Sequence, residues 1–326
     1  MRIFLSSKSV TIVCYAFLLS LINSCSSIKE LSENETNAFY SFNPDTRVLI
    51  NSPKNNESNK PVLLILYALP NGNTIEMTAG KKISNSDDWH YDIQHIAAQT
   101  RFLRNTLHDY TIIIAYLENS LKSWPAWRKK YGYNSSDIAR IIQLIRFETG
   151  DPQSVVLAGH SGGGSFITGF INSADSIPNY ISRIAYLDAN YSYDDSLDHG
   201  KKLFQWLNAD TTHKLCVIAY DDREITLNGK KVLSPTGGTY RETQRMIQRF
   251  TEETNVTKKQ DSTIQQYSAL DNRARFIIHT NPDTLILHTV LVEKNGLIHS
   301  VLFQTEFEEK NYTFFGKRAY SNFITE

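Results

Sequence analysis

The chain has 326 residues, which is enough for one large domain or two small ones, and 41% of its residues are hydrophobic. That share can bury a sizeable core and argues against a disordered chain. Thirty-four Lys and Arg residues balance thirty-four Asp and Glu residues, so no net charge attracts the chain to nucleic acid or to an anionic membrane.

The N-terminus has the pattern of an export signal. Basic residues precede an uncharged run, residues 10–22, which is shorter than the roughly 20 apolar residues of a membrane span. The stretch INSC at 22–25 is similar to the lipobox of bacterial lipoproteins, in which the cysteine carries the lipid. We therefore expect residues 1–24 to be a lipoprotein signal peptide and Cys25 to be lipidated, with ordinary cleavage as the alternative. The protein would then be exported and lipid-anchored at a bacterial membrane, in the periplasm or at the cell surface.

Two segments are predicted to follow the signal peptide. Residues 25–36 are polar and aperiodic, as in a tether, and residues 37–326 are predicted to form one domain because no repeat or compositional break divides them. Cys216 would be the only cysteine left unmodified in the mature chain, so no internal disulfide is expected. It lies in an apolar run, where a small buried side chain is the simplest interpretation.

Apolar runs rich in β-branched residues predict strands that are buried on both faces, as in a mostly parallel sheet. The strongest runs are 61–70, 110–118, 154–161, 183–190, 214–222 and 284–293. Apolar residues at three- and four-residue spacing predict helices at 92–107 and 135–149, and Asn228-Gly229 predicts a hairpin. Alternating strands and helices indicate an α/β fold with helices on both faces of the sheet.

A serine lies where the third predicted strand meets a predicted helix. The sequence Gly159-His160-Ser161-Gly162-Gly163 matches G-x-S-x-G. A strand that turns at once into a helix forces the serine into a strained conformation, needs small neighbours, and exposes the hydroxyl at the carboxyl edge of the sheet. We therefore predict that Ser161 is a nucleophile and that the Gly162 N–H helps to bind the oxyanion.

A serine nucleophile needs a histidine base that is oriented by a carboxylate. His299 follows the last predicted strand and is the predicted base. A core or surface role is predicted for the other candidate histidines, which are His90, His95, His199, His213, His279 and His288. For the acid, Asp222 after the 214–222 run is favoured, and Asp188 and Asp221 remain alternatives.

This constellation resembles the α/β-hydrolase superfamily over residues of roughly 60 to 305. The resemblance implies a mostly parallel sheet of about eight strands, the chain order Ser, Asp, His, and a second oxyanion donor from the loop 69–74. In that loop Asn71 is the predicted donor, with Gly72 and Asn73 as alternatives. The sequence carries no metal-binding or nucleotide-binding motif, so no cofactor is predicted.

A loop after the second strong run is predicted to bind substrate. Residues 123–133, SWPAWRKKYGY, supply Trp124, Trp127 and Arg128, and His160 adjoins the nucleophile. Flat aromatic rings suit sugars, and cationic groups suit carboxylates. The layout is similar to carbohydrate esterases, including pectin methylesterases of α/β-hydrolase type.

We therefore predict a carbohydrate esterase that removes methyl or acetyl esters from an acidic, uronate-rich, pectin-like glycan through an acyl-enzyme on Ser161. A secreted peptidase or lipase of the same fold is the first alternative. A noncatalytic surface glycan-binding lipoprotein is the second. The predicted partner is a polysaccharide or a small ester, with membrane contact through the N-terminal lipid only and no nucleic acid or protein partner.

Overall fold

The computed structural model describes residues 34–54, 59–133 and 135–325. The predicted signal peptide, Cys25 and most of the predicted tether lie outside these residues. The strands are β1 (Glu35–Phe42), β2 (Thr46–Pro53), β3 (Val62–Ala68), β4 (Thr111–Asn119), β5 (Ser154–His160), β6 (Ile181–Leu187), β7 (Lys214–Tyr220), β8 (Thr226–Leu227), β9 (Lys230–Lys231), β10 (Thr257–Gln260), β11 (Ile264–Ala269) and β12 (Ala274–His279).

Ten of these strands form one sheet in the order β1-β2-β4-β3-β5-β6-β7-β12-β11-β10. The six central strands, β4 to β12 in this order, are parallel to one another, and antiparallel pairing adds two further strands at each edge. The predicted mostly parallel sheet is therefore confirmed, with ten strands where about eight were expected. All six parallel strands end at the same edge of the sheet, which we call the carboxyl edge.

Helices cover both faces of the sheet. They are α1 (Ile75–Ala79), α2 (Ile96–Thr106), α3 (Trp124–Tyr131), α4 (Asp137–Glu148), α5 (Gly164–Asn172), α6 (His199–Ala209), α7 (Thr239–Glu253), α8 (Val290–Glu293) and α9 (Gly296–Leu302). The helices predicted at 92–107 and 135–149 are confirmed as α2 and α4. The sheet separates two clusters of buried apolar side chains, which explains why its central strands are apolar on both sides.

The sixth predicted strand is wrong. Residues 284–293 form a loop followed by α8, and in this loop Leu285 and Ile286 are exposed. The last parallel strand is instead β12, in which all six residues are buried and which pairs with β7. Hydrophobicity alone did not separate the two runs, because the exposed apolar residues of the loop are as hydrophobic as those of a strand.

Two local predictions can be compared with the structure. The hairpin is confirmed: β8 and β9 pair antiparallel around Asn228 and Gly229, both of which have positive φ as a tight hairpin turn requires. The end of the predicted tether is corrected, because β1 begins at Glu35, whose carboxylate binds Arg101 and Arg104 at 2.8 and 2.6 Å. Within the described ranges, no helix is both long and apolar enough to cross a membrane.

Candidate active site

Ser161 occupies the turn between β5 and α5. Its φ is +53°, in the left-handed region that a serine rarely adopts, and a short 3-10 turn over Ser161–Gly163 leads directly into the helix. The sharp strand-to-helix turn predicted from the sequence is therefore present. It places a partly exposed serine at the carboxyl edge, just beyond the central strand of the parallel sheet.

The glycines around Ser161 allow the chain to pack closer than any side chain would permit. A Cβ on Gly163 would lie 2.1 Å from the carbonyl oxygen of Ala68, at the end of β3. A Cβ on Gly164 would lie 1.6 Å from the carbonyl oxygen of Ala189, in the loop after β6. The neighbouring loops can therefore press against the turn and carry their own polar groups toward Ser161.

Asp188 is the first residue after β6 and lies beside the serine turn. Strand register pairs His160 with Leu187, so the next residues, Ser161 and Asp188, leave adjacent parallel strands at the same level. Asp188 is fully buried and has a φ of +47°, and its N–H donates to the carbonyl oxygen of Ile218 at 2.7 Å. Its carboxylate is held rigidly beneath the carboxyl edge.

His288, in the loop between β12 and α8, completes the cluster. Its Nδ1 lies 2.5 Å from Oδ2 of Asp188, and its ring centroid lies 4.5 Å from that of His160. His160 donates from Nε2 to the carbonyl oxygen of His288 at 3.1 Å. Because burial holds the pKa of His160 well below its usual value, this imidazole is neutral and its one proton is assigned to Nε2. The residue directly before Ser161 therefore anchors the backbone of the loop that carries His288.

A pocket of about 250 Å³ opens at Ser161. It is lined by Asn71, Pro125, Ser161, Gly162, Ser165, Tyr191 and Ser192. A Cβ on Gly162 would lie 2.0 Å from Oδ1 of Asn71, so the loop after β3 lies directly against the residue that follows the serine. The two predicted oxyanion residues, Gly162 and Asn71, are therefore neighbours in this pocket.

Three features together define the fold. They are the strand order, the sharp turn at the end of β5, and the pairing of His288 with Asp188 at the carboxyl edge. The chain has an α/β-hydrolase fold. In this fold the chain order Ser161, Asp188, His288 follows the order implied by the sequence resemblance. Asp188, the carboxylate that contacts His288, follows the strand next to the serine strand, one strand earlier than the favoured Asp222.

Among known proteins, only solved structures match the chain. No protein-family model matches the chain, and no curated protein matches it. A thermostable esterase is similar with a TM-score of 0.45 and 10% identity, over 77% of this chain and 56% of that one. A CIB-like hydrolase from Thermoplasma acidophilum has a TM-score of 0.41 and 12% identity, over 81% and 93%. Thermogutta terrifontis esterase 2, phosphoramylated by tabun, has a TM-score of 0.39 and 9% identity, over 76% and 83%.

The structure does not place His299 in the cluster of Ser161, Asp188 and His288, and the prediction that it is the base is corrected. His299 lies in α9, is 3% exposed, and has its Nδ1 3.2 Å from the hydroxyl of Tyr312. Its Nε2 is buried without a partner among the described residues, and burial lowers its pKa to about 4. The error came from treating residues 284–293 as a strand, which placed His288 inside the sheet. The run ARFIIH at 274–279 was the sequence feature that could have identified the true last strand.

The favoured acid, Asp222, is a neighbour of the pair rather than its partner. Its Oδ2 accepts a hydrogen bond from the N–H of Thr239 at 2.7 Å and lies 3.2 Å from the Thr239 hydroxyl oxygen. The same hydroxyl also contacts Oδ1 of Asp188. Burial, and then the nearby charge of Asp188, raise the pKa of Asp222 to about 6. The third candidate, Asp221, is paired with Arg223 at 2.6 Å, which leaves the alternative Asp188 as the residue that contacts an imidazole.

The predicted substrate-binding residues are buried, and this prediction is corrected. Residues 124–131 form helix α3 rather than a loop, and Trp124, Trp127 and Arg128 are 1%, 0% and 4% exposed. The two indole rings pack edge to face, and Trp127 donates to the carbonyl oxygen of Pro44. His160 is also buried, and its hydrogen bond goes to the backbone of the loop that carries His288. Trp124 and Trp127 are three residues apart, so they share the inner face of the helix. The segment was predicted to be a loop, and their burial was therefore not predicted.

Proposed function

We propose that the protein is a serine hydrolase that acts on esters, with Ser161 as nucleophile, His288 as general base and Asp188 as the residue that orients His288. The observation that carries the proposal is the 2.5 Å contact between Nδ1 of His288 and Asp188, beside the strained turn of Ser161. With Nδ1 engaged by a carboxylate, the imidazole keeps its other nitrogen, Nε2, for the serine proton.

The chemistry would proceed in two balanced steps. Nε2 of His288 takes the proton of Ser161 as its oxygen attacks the ester carbonyl, and the imidazolium then gives that proton to the departing alcohol. Water repeats the sequence on the acyl-enzyme and releases the acid. The oxyanion would be bound by the N–H groups of Gly162 and Asn71, since the first N–H groups of a helix lack partners inside it and the N–H of Asn71 donates to no described residue.

Fluorophosphonate labelling tests this proposal without knowledge of the substrate. We expect rapid labelling of the wild-type protein and hydrolysis of p-nitrophenyl acetate, and loss of both in Ser161→Ala, because only an activated serine reacts quickly. Far-UV circular dichroism checks that the variant is folded. A wild-type protein that is folded but not labelled would instead favour the noncatalytic glycan-binding alternative.

The contact between Gly162 and Asn71 gives a test of the oxyanion site. In Gly162→Ala the new methyl group would displace the Asn71 side chain and its loop, and we expect kcat to fall by about 10²-fold, as for the loss of one oxyanion donor. The double variant Asn71→Ala/Gly162→Ala removes the clashing amide but keeps both N–H groups, so it should recover most of the activity. Failure of this rescue in a folded protein would contradict the assigned donors.

Fewer observations support a carbohydrate substrate than support hydrolase activity. Burial of Trp124 and Trp127 removes the stacking platform, so the predicted removal of methyl or acetyl esters from a uronate-rich glycan now depends on the family resemblance alone. Methanol and acetate release from pectin, with Ser161→Ala as the blank, would test it. A peptidase would instead cleave aminoacyl p-nitroanilides. The exposed, lysine-bearing hairpin of β8 and β9 does not supply the apolar lid of a lipase.

We also propose that the protein is exported and lipid-anchored through Cys25. The support is the INSC stretch after an apolar run. Expression in a bacterial host should place the full chain in the membrane fraction, and Cys25→Ser should move it to the soluble fraction. Recovery of both proteins in the cytosolic fraction would contradict this part of the proposal.

A further inference from the structure

We infer that the pocket beside Ser161 contains an acyl-binding subsite, in which the Ser165 hydroxyl is polarised by the buried Arg128 guanidinium. This subsite selects acyl groups that end in a hydrogen-bond acceptor, and a carboxylate is preferred over a neutral acceptor. The inference depends on the proposed function, since it specifies which esters the same site accepts.

The buried guanidinium of Arg128 is held by neutral hydrogen-bond acceptors. Its Nη1 donates to the carbonyl oxygen and to Oγ of Ser165, both at 3.2 Å, and to Oγ1 of Thr168 at 3.0 Å. Its Nη2 donates to the carbonyl oxygen of Tyr133 at 3.0 Å, and its Nε is buried without a partner among the described residues. Within the ranges that the structure describes, every acceptor of this guanidinium is neutral, and no carboxylate pairs with it.

A charge in this position is costly unless another charge compensates it. Arg128 is 4% exposed, and an arginine keeps its proton even when buried. In a water-excluding environment its positive potential extends further than it would in water. An anion that enters the adjacent pocket would therefore gain attraction from a charge that the protein leaves uncompensated.

Ser165 connects this charge to the pocket. Its oxygen accepts a hydrogen bond from Nη1 of Arg128, so its own O–H points elsewhere, and that O–H has no acceptor among the described residues. Ser165 lines the same pocket as Ser161 and lies in the first turn of α5, just beyond the 3-10 turn that carries Ser161. A succinyl group carries its terminal oxygens four bonds beyond the acyl carbon, and once bonded to Ser161 it would place one of them in the part of the pocket that Ser165 lines.

The substrate class that fits is the half-ester of a short dicarboxylic acid or a similar acyl group with a terminal oxygen. Such a group would accept a hydrogen bond from the Ser165 hydroxyl. Its negative charge would then be separated from the Arg128 guanidinium only by that hydroxyl. A purely hydrocarbon acyl group of the same shape would leave the Ser165 proton unpaired and would gain nothing from the guanidinium.

The test uses three methyl esters of nearly the same shape, with acid release followed at constant pH. They are monomethyl succinate with a carboxylate, methyl levulinate with a neutral ketone, and methyl 4-methylpentanoate with neither. In Ser165→Ala we expect kcat/KM to fall about ten- to a hundred-fold for succinate, by less for levulinate, and to stay nearly constant for 4-methylpentanoate, as for loss of a hydrogen bond to a charged group.

Thr168→Val is the matched control. It removes the other side-chain hydroxyl that accepts from the same nitrogen of Arg128, but Thr168 does not line the pocket, so the preference for succinate should persist. Equal loss of the preference in both variants, or a wild-type protein that hydrolyses all three esters without discrimination, would overturn the inference. If the wild-type protein hydrolyses none of them and Ser161 is not labelled, the proposed function itself fails.

Discussion

Replacing His288 with alanine is expected to lower kcat by about 10⁴-fold or more and to abolish rapid fluorophosphonate labelling of Ser161. The reason is that His288 is the histidine whose Nδ1 contacts a fully buried carboxylate at the carboxyl edge. Without the imidazole, Ser161 has no base to take its proton, and its hydroxyl returns to ordinary reactivity. Stopped-flow labelling and p-nitrophenyl acetate hydrolysis measure the two effects.

His299→Phe is the control for this prediction. His299 is buried against Phe314 and Tyr312, and its Nε2 has no partner within the described part of the chain, so an aromatic ring of similar size should be accepted. We expect its kcat to stay within a few-fold of wild type, as for a site outside the catalytic machinery. The opposite pattern, an inactive but folded His299→Phe and an active His288→Ala, would restore the assignment made from the sequence.

The second large effect separates the two buried acids. Asp188→Asn should lower kcat by about 10⁴-fold, because an amide at Oδ2 no longer holds Nδ1–H of His288 and favours the wrong tautomer. Asp222→Asn should cost less than about ten-fold at pH 8, because Asp222 contacts Thr239 and not the imidazole. Comparable losses in both variants would show that the acid function is shared between the two residues.

The raised pKa of Asp222 also predicts how this variant changes stability with pH. Its folded pKa of about 6 exceeds the ordinary value of 3.8, so between these pH values the folded state binds more protons than the unfolded state. Stability is therefore lost as the pH rises from about 4 to 6, and the penalty is complete above 6. The difference in Tm between Asp222→Asn and wild type should shift in favour of the variant over this range. A difference that is independent of pH would contradict the raised pKa.

The Thr239 hydroxyl connects the side chains of Asp188 and Asp222, and no sequence motif predicted this contact. Its hydroxyl has one proton and lies against both carboxylates, so it can donate to only one of them. The contact with Asp188 is the closer of the two, which leaves Asp222 with backbone donors and one oxygen that has no partner among the described residues. The carboxyl group of Asp222 therefore retains its proton more readily than an exposed aspartate, in agreement with its raised pKa.

Local features of the active site were predictable because neighbouring residues decide them. The residues from Gly159 to Gly163 determine the turn of Ser161, since a strand can enter a helix this sharply only where small side chains surround the bend. The apolar runs that became β3 to β7 were equally clear, because strands covered on both faces need hydrophobic residues at every position.

The partners of Ser161 were not predictable from sequence patterns of this kind. Asp188 and Asp222 both follow parallel strands that end at the same edge, and only the path of the loop with His288 decides which carboxylate meets the imidazole. His288 itself lies in a segment as apolar as a strand. Whether that segment joins the sheet depends on competition with residues 274–279 for the edge of β7, which is a contact between distant parts of the chain.

The sequence by itself determined the α/β architecture, the sharp turn at Ser161 and the glycines that make room for it, because those depend on backbone geometry and hydrophobic pattern over a few consecutive residues. Only the tertiary structure decided which histidine meets which carboxylate at the carboxyl edge, and the burial of Trp124, Trp127 and Arg128. The physical reason is that these properties depend on which surfaces cover one another after folding, and His160 and His288, more than a hundred positions apart in the chain, meet beside Ser161.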